Sequence, residues 1–521
     1  MVLTAGTVGL LGAPQTATAV HTMAGPARMH DGAGERSRGF VEIRTAAEVP
    51  RDGLVQADRL ELSYVVNTNT DASTIRAVKE AIGKAGGSVI VAHDRIGVIV
   101  ARSANAGFAT SMRRIAGVQS AGATRTAPLT ASGAADVAMP DKMRTSGSDV
   151  AWAAARAPRQ EPLEPLQWDI AMIRADKAAK VTPGSRDVTV AVIDSGVDDT
   201  HPDLAPNFSA KQSANCVGGV ADTTQGAWRP YTEDDYHGTH VAGTIAAARN
   251  GLGMAGVAPG VKVSSIKVSE PETSLYFGEA VVCAFMFAAD HGIEVTNNSY
   301  YIDPWMFNCK EDPDQAAIVE AVARAAKYAE RKGVIHVAAA GNSNFDLAAK
   351  SLIDTSSPND TTPVSREIDP SVCWDIPTQL PGVVTVSATG PKNLKSKYSN
   401  YGLEQIDVAA PGGDESQVPN APARAGQILS TMPDGGYGYL QGTSMAAPHA
   451  AGVVALIKSK RPNASQGEIQ WLLKKHADNP GCSVGPYDPD NDGKVDAKCT
   501  GSKLYNSFYG FGIVDALDAV Q

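Results

Sequence analysis

The chain has 521 residues and a formal net charge of −10, from 46 Lys and Arg against 56 Asp and Glu. With 43% apolar and 20% charged residues it is a globular chain, long enough for one large domain and a smaller one. The acidic total sets nucleic acid and anionic membranes aside as main partners, and no stretch reaches the roughly 18 apolar residues of a membrane span.

The charge is divided. Residues 1–160 carry net +5 and residues 161–521 net −15, so two parts of opposite sign would attract each other. Residues 1–19 have a weak apolar centre and end in Ala17-Thr18-Ala19. That resembles the end of an export signal, although no Lys or Arg precedes Arg28. Residues 20–59 are polar and Gly-rich and read as linker. Residues 62–66 (LSYVV) then read as a strand. Residues 71–87 read as a helix capped by Asp71, with Ile75, Val78 and Ile82 on one face and Gly86-Gly87 as its stop. Strands at 88–92 and 96–101 and a helix at 105–115 complete a β-α-β-β-α module, with helices on one face of a small antiparallel sheet.

Residues 127–165 are rich in Ala, Ser, Gly and Pro and read as an exposed linker open to proteolysis. Beyond them, apolar strands at 188–193, 261–268, 334–340 and 383–388 alternate with helices at 237–249, 278–291, 315–332 and 443–459. Uninterrupted apolar strands between helices predict an α/β fold whose parallel sheet is covered on both faces.

Three segments of this second part carry chemistry. The strand in VTVAVIDSGVDDTHPD (188–203) ends on Asp194, where open α/β sheets place their sites. In HGTHVAGT (237–244), small residues at 238, 242 and 243 let a helix pack closely at its start, with His237 at its N-terminus. His240, one turn on, reads as a core histidine, because H-x-x-H lacks the Glu of the zinc motif. In GTSMAAPH (442–449), Gly442 precedes a Ser444 that opens an apolar helix, whose N–H groups and dipole favour an oxyanion. Ala446 replaces the second Gly of the G-x-S-x-G elbow, which counts against an α/β-hydrolase. Taken singly, each segment also reads as a turn or a helix cap. Together they follow one of the known chain orders of the serine triad: Asp, His, Ser.

On VIDSGVDDTHPDL, HGTHVAGTIAA and GTSMAAPHAAG, the chain resembles the subtilisin-like serine proteases (subtilases, peptidase family S8) over residues 166–521. The resemblance implies a three-layer fold with a mainly parallel sheet, preceded by a small α+β propeptide domain. It implies Ser444 as nucleophile, His237 as general base and then acid, and Asp194 as its orienter. Asn342, in AAGNS (339–343), would donate to the oxyanion beside the Ser444 N–H. Ser299 and Gly341 would face substrate, with residues 295–299 pairing with an extended peptide. Tyr300-Tyr301-Ile302 stands where relatives carry Leu-Gly-Gly, so the subsites there are expected to be reshaped.

The same resemblance implies a structural calcium ion held by Asp203 and Asn250, by the carbonyls of Ala248, Leu252 and Met254, and by Gln167. Asp488, Asp490, Asp492 and Asp496 copy the start of an EF-hand-like loop whose twelfth position is Cys499; the alternative is an acidic surface turn. All six cysteines lie in the second part. Cys482 and Cys499 flank that loop, and Cys216–Cys283 with Cys309–Cys373 is the expected pairing among three possible ones. The 60–126 module resembles the inhibitory propeptide, with residues 123–126 as a pseudo-substrate tail and a maturation cut within 124–166. The expectation is therefore a secreted, calcium-stabilised endopeptidase made as a zymogen, monomeric, acting on proteins or peptides, with its own propeptide as inhibitor. The alternatives are an exopeptidase releasing short N-terminal peptides and a catalytically silent binding module.

Overall fold

The computed structural model describes residues 61–129, 143–144, 160–482, 487–489 and 493–521. Residues 58–521 form one compact unit. The signal-like segment 1–19, the linker 20–59 and the residues Asp490 and Asp492 lie outside the described residues.

The first module runs β1 (Leu62–Thr68), α1 (Ala72–Lys84), β2 (Gly87–His93), β3 (Val98–Ser103), α2 (Phe108–Met112) and β4 (Val118–Ala123). The strands form an antiparallel sheet in the order β2-β3-β1-β4. Asp71 caps α1 by accepting from Thr74 N at 2.9 Å, and Ile75, Val78 and Ile82 are its buried face. The helix expected at 105–115 is shorter. Asn105 instead turns the chain, its Oδ1 accepting from Gly107 N, and Arg113 leaves the helix to donate to Ala121 O. Tyr64 and Val66 of β1 pack with Phe108 and Met112 in the module's own core. Val65, between them, faces the opposite way into a core shared with the rest of the chain.

A two-residue strand, β5 (Met143–Arg144), pairs with a strand of a later hairpin. The larger body then carries a seven-stranded parallel sheet. Its strands are β6 (Thr189–Asp194), β7 (Ala214–Asn215), β8 (Lys262–Lys267), β9 (Val295–Asn298), β11 (Ile335–Ala339), β15 (Val384–Thr389) and β16 (Val408–Pro411), ordered β16-β15-β11-β9-β6-β8-β7. Short antiparallel pairs join β10 (Asn308–Cys309) to β14 (Cys373–Trp374) and β12 (Leu352–Asp354) to β13 (Arg366–Ile368). A hairpin of β17 (Ile428–Met432) and β18 (Gly436–Leu440) precedes the last long helix.

Alternation along β6 shows the layers. Val190 and Val192 enter one core, Ala191 and Ile193 the other. The first core includes the helices His237–Ala246 and Thr443–Lys460, the second the helices Gly278–Asp290 and Pro313–Arg331. Three disulfides form, Cys216–Cys283, Cys309–Cys373 and Cys482–Cys499, the pairing expected among the three possible ones.

Two expected boundaries move. Residues 160–165 read as linker because of Pro162 and Pro165, yet Glu161, Leu163 and Glu164 are buried and Leu163 N donates to Gly253 O at 2.7 Å. The packed body thus begins before residue 166. The segment 295–299 was expected to pair with substrate, but β9 is already paired on both edges, by β6 and β11. Backbone open to a peptide begins only at Ser299.

Candidate active site

Asp194 ends β6, which lies between β8 and β9 where the strand order reverses, the position at which open α/β sheets place their sites. It is fully buried, with Oδ1 accepting from Ser195 N at 2.7 Å. His237 opens the helix His237–Ala246, and its Nδ1 lies 2.8 and 3.0 Å from the two Asp194 oxygens. Gly238 makes that pairing possible: a Cβ there would meet Gly196 O at 2.3 Å. Burial pulls the His237 pKa down, but the Asp194 charge and hydrogen bond outweigh it and leave it raised. His240 points away, its Nε2 bonded to the carbonyls of Ile428 and Gly438, and burial lowers its pKa to about 3. It is a core residue.

Ser444 lies in the first turn of the helix Thr443–Lys460, where its N–H has no acceptor within the helix. Pro448, four residues on, lacks the N–H that would bond the Ser444 carbonyl. Ser299 Oγ supplies that donor at 3.0 Å, and the Ser444 hydroxyl donates back to Ser299 O at 3.3 Å. Asn342 Oδ1 accepts from both Thr443 N and Thr443 Oγ1 at 2.8 Å. With Oδ1 so committed, Nδ2 is the end left for a ligand; it sits beside Gly442, next to Ser444 N. Gly341 (φ +98°) turns the chain into Asn342, and a Cβ there would strike the Asn400 amide at 2.3 Å. His237, Ser299, Gly341, Asn342 and Ser444 all line one cavity of about 450 Å³.

The Tyr300-Tyr301 departure is now explained. Tyr300 is buried, stacked on Tyr276 with centroids 5.1 Å apart, and donates to Asn298 Oδ1. Tyr301 lines the cavity and accepts from Asn359 Nδ2. The segment 123–126, expected as a pseudo-substrate tail, is not among the residues lining this cavity, although its partners Glu270 and Asp360 neighbour the lining residues Glu272 and Asn359. Arg125 is buried between Glu270 and Glu279, and Thr126 is held by Asp360; none of these five residues lines the cavity.

The calcium ligand set is partly gathered. Asp203 is fully buried, and its Oδ1 has no hydrogen-bond partner. Its Oδ2 accepts from Met254 N and Tyr437 OH, and burial raises its pKa. Asn250 is exposed, with Nδ2 donating to Pro202 O and Oδ1 accepting from Leu252 N. Gln167 is engaged in the same way as Asn250, both ends of its amide bonded to backbone, here that of Ala255, and its Oε1 keeps one lone pair as Asn250 Oδ1 does. Glu161, which the sequence reading left in the linker, faces the same loop and accepts from Gly251 N at 2.8 Å. An unpartnered buried carboxylate oxygen beside a second carboxylate suits a hard cation. Among the described residues no group of three or more Asp, Glu, His or Cys is placed to hold a metal, so backbone carbonyls would have to complete the cage. In the acidic loop, Asp488 accepts from Gly493 N; Asp496 is described, while Asp490 and Asp492 are not.

Residues 185–512 match the family model described as the Subtilase family. The chain therefore belongs to the subtilases, and it is a serine peptidase of the S8 type. It is 30% identical over 317 residues to subtilisin NAT of Bacillus subtilis subsp. natto, covering 61% of this chain and 67% of that one. It is 30% identical over 340 residues to fervidolysin of Fervidobacterium pennivorans, and this match spans 61% of the chain but only 41% of the relative. Among solved structures it is similar in fold to the epidermin leader peptide processing serine protease of Staphylococcus aureus, with a TM-score of 0.61 at 24% identity, covering 88% of this chain and 98% of that one.

Proposed function

We propose that the protein is a secreted serine endopeptidase made as a zymogen, cutting peptide bonds through an acyl-enzyme on Ser444. The observation that carries this reading is the His237–Asp194 pair opening onto the same cavity as Ser444 and Asn342. Ser444 Oγ leaves its weak bond to Ser299 O and attacks the scissile carbonyl carbon. Its proton passes to His237 Nε2, while Asp194 holds Nδ1–H and stabilises the cation. The C–O bond forms as the carbonyl π pair moves onto oxygen. That oxyanion is met by Asn342 Nδ2–H and Ser444 N–H. Collapse breaks the C–N bond, and His237 returns the proton to the leaving amine. Water then repeats the cycle on the ester.

The module 61–129 is the pro-segment in this reading. Its support is the charge and fit of its contacts. Arg95 pairs with Asp290, Arg113 with Asp314, and Arg125 with Glu270 and Glu279. Gly122 lies so close to Asp314 that a Cβ would come within 2.5 Å of its backbone. Maturation would cut between the two packed segments, after residue 129 and before residue 160. Secretion is supported by three disulfides, which persist in oxidising compartments. Among the described residues no helix is long and apolar enough to cross a membrane. A structural calcium ion would be held by Asp203, Asn250, Gln167, Glu161 and the carbonyls of Ala248, Leu252 and Met254; when bound it neutralises carboxylates and ties the loop 248–254 to the body.

A fluorophosphonate reacted with the full chain, followed by peptide mapping, tests the mechanism. The adduct is expected on Ser444 and is lost in His237→Ala. Digestion of an N-terminally blocked protein tests the endopeptidase reading: internal cuts are expected, and resistance of the blocked protein alone would favour the exopeptidase.

A further inference from the structure

The cavity beside Ser444 has a wall that the mechanism does not use. Asp375 follows the β10–β14 disulfide, and its backbone is pinned in both directions by Gln379: Asp375 N donates to Gln379 Oε1 and Asp375 O accepts from Gln379 N, each at 2.8 Å. Its side chain lines the cavity, yet the residue is only 4% exposed and Oδ1 has no hydrogen-bond partner. It stands close to the oxyanion loop: a Cβ built on Gly341 would sit 3.6 Å from Asp375 Oδ2, with the Asn400 amide on the same side at 2.3 Å. Asn359 lies on the same wall. Its Nδ2 is committed to Asp303 Oδ1 and Tyr301 OH, which leaves Oδ1 as a second buried acceptor without a partner. Of the described residues lining this cavity five are Asp or Glu, and none is Lys or Arg.

Buried acceptors without donors are costly, and a carboxylate costs most. Neighbouring side chains of the fold do not meet that need at Asp375, so a ligand that brings donors is favoured. The residue whose carbonyl carbon meets Ser444 has its oxygen at Asn342. Its side chain therefore falls against Gly341 and the Asp375 wall. We infer that Asp375, with Asn359 beside it, makes this pocket a receptor for the cationic side chain of Arg or Lys on the acyl side of the cut bond. This rests on the endopeptidase reading above and gives it a substrate class. Guanidinium and ammonium groups supply charge-assisted donors to a carboxylate in a low-dielectric wall. An apolar side chain leaves Asp375 unpaired. Burial also raises the Asp375 pKa well above the ordinary range, which a bound cation reverses.

The test uses the full chain, left to mature, and a set of blocked peptide substrates that differ only at that residue: Arg, Lys, Nε-acetyl-Lys, Gln, Phe and Leu. kcat/KM is expected to be at least about 100-fold higher for Lys than for Nε-acetyl-Lys, and for Arg than for Phe. Asp375→Asn is expected to collapse the Arg-to-Gln ratio by a similar factor. Because a ratio cancels active-enzyme concentration, partial misfolding does not blur it. If the variant does not fold at all, the Lys and acetyl-Lys pair on the unaltered protein decides. Preference for Phe, Leu or Gln, or an Arg-to-Gln ratio unmoved by Asp375→Asn, overturns the assignment. If Ser444 takes a fluorophosphonate while the basic preference is absent, only the pocket assignment falls. If Ser444 does not react and no peptide is cut, the endopeptidase reading falls with it.

Discussion

Four side chains do the chemistry in this account, and each is fixed by a different local device. Asn342 is fixed by spending its oxygen on Thr443, which aims its amide at the cavity. Asn342→Ala is expected to lower kcat by about 10²–10³-fold, the scale measured for the same kind of donor in the relative subtilisin, with KM nearly unchanged. Steady-state kinetics on one peptide checks the split. His237 gives a pH prediction. It must be neutral to accept the Ser444 proton, so activity falls as pH drops through its pKa. Asp194 holds that pKa above the ordinary imidazole value. The acid limb of kcat/KM against pH should therefore have its midpoint above about 6.5, and Asp194→Asn should move it down. The triad was legible in sequence because each member sits in its own contiguous motif. Glu161 and Asp375 were not. Glu161 stands between residues that read as linker, and Asp375 stands between a Cys-Trp pair and Ile376-Pro377; neither neighbourhood carries a motif. What marks Glu161 is its bond to Gly251, 90 residues on, and what marks Asp375 is a place in the cavity wall beside Gly341, and only the fold supplies either.

At the level of elements, close approach and paired charge decide the geometry. The helix His237–Ala246 meets the end of β6 only because Gly238 has no side chain, as its neighbours in the sequence already hinted. Strand β4, VQSAGA, escaped the sequence reading because it lacks the β-branched run of a strand and gains its state from pairing with β1. The turn after β4 carries Arg125, buried against the buried Glu279 and the half-buried Glu270. Arg125→Ala strands Glu279 as an uncompensated buried charge and should weaken docking of the module by about 3–5 kcal/mol. Hydrogen exchange across β1 and β4 would show it as faster exchange there, with the helix Thr443–Lys460 unchanged. Equal protection in variant and parent would mean that this pair contributes little.

For the molecule as a whole, the division of charge becomes a division of surfaces. The basic residues of the first part meet acidic residues of the helices Gly278–Asp290 and Pro313–Arg331, and one face of the small sheet is completed by the larger body's core. The layered α/β body was readable from strands and helices alternating along the chain. The packed segment at 160–165 was not, because Pro-rich sequence looks the same whether it is docked or exposed. Chelation probes the other whole-molecule device. Removing calcium with excess EGTA should lower Tm by several degrees, and Asp203→Asn should abolish that difference. Identical melting with and without chelator in the parent would remove calcium from the account.

The most direct measurement compares the parent chain with Ser444→Ala, each expressed at full length, by N-terminal sequencing of the product and by casein hydrolysis. The parent is expected to begin between residues 130 and 160 and to cut casein, while Ser444→Ala stays unprocessed and inert. If both proteins process their N-termini and cut casein equally, Ser444 is not the nucleophile and the mechanism argued here is wrong.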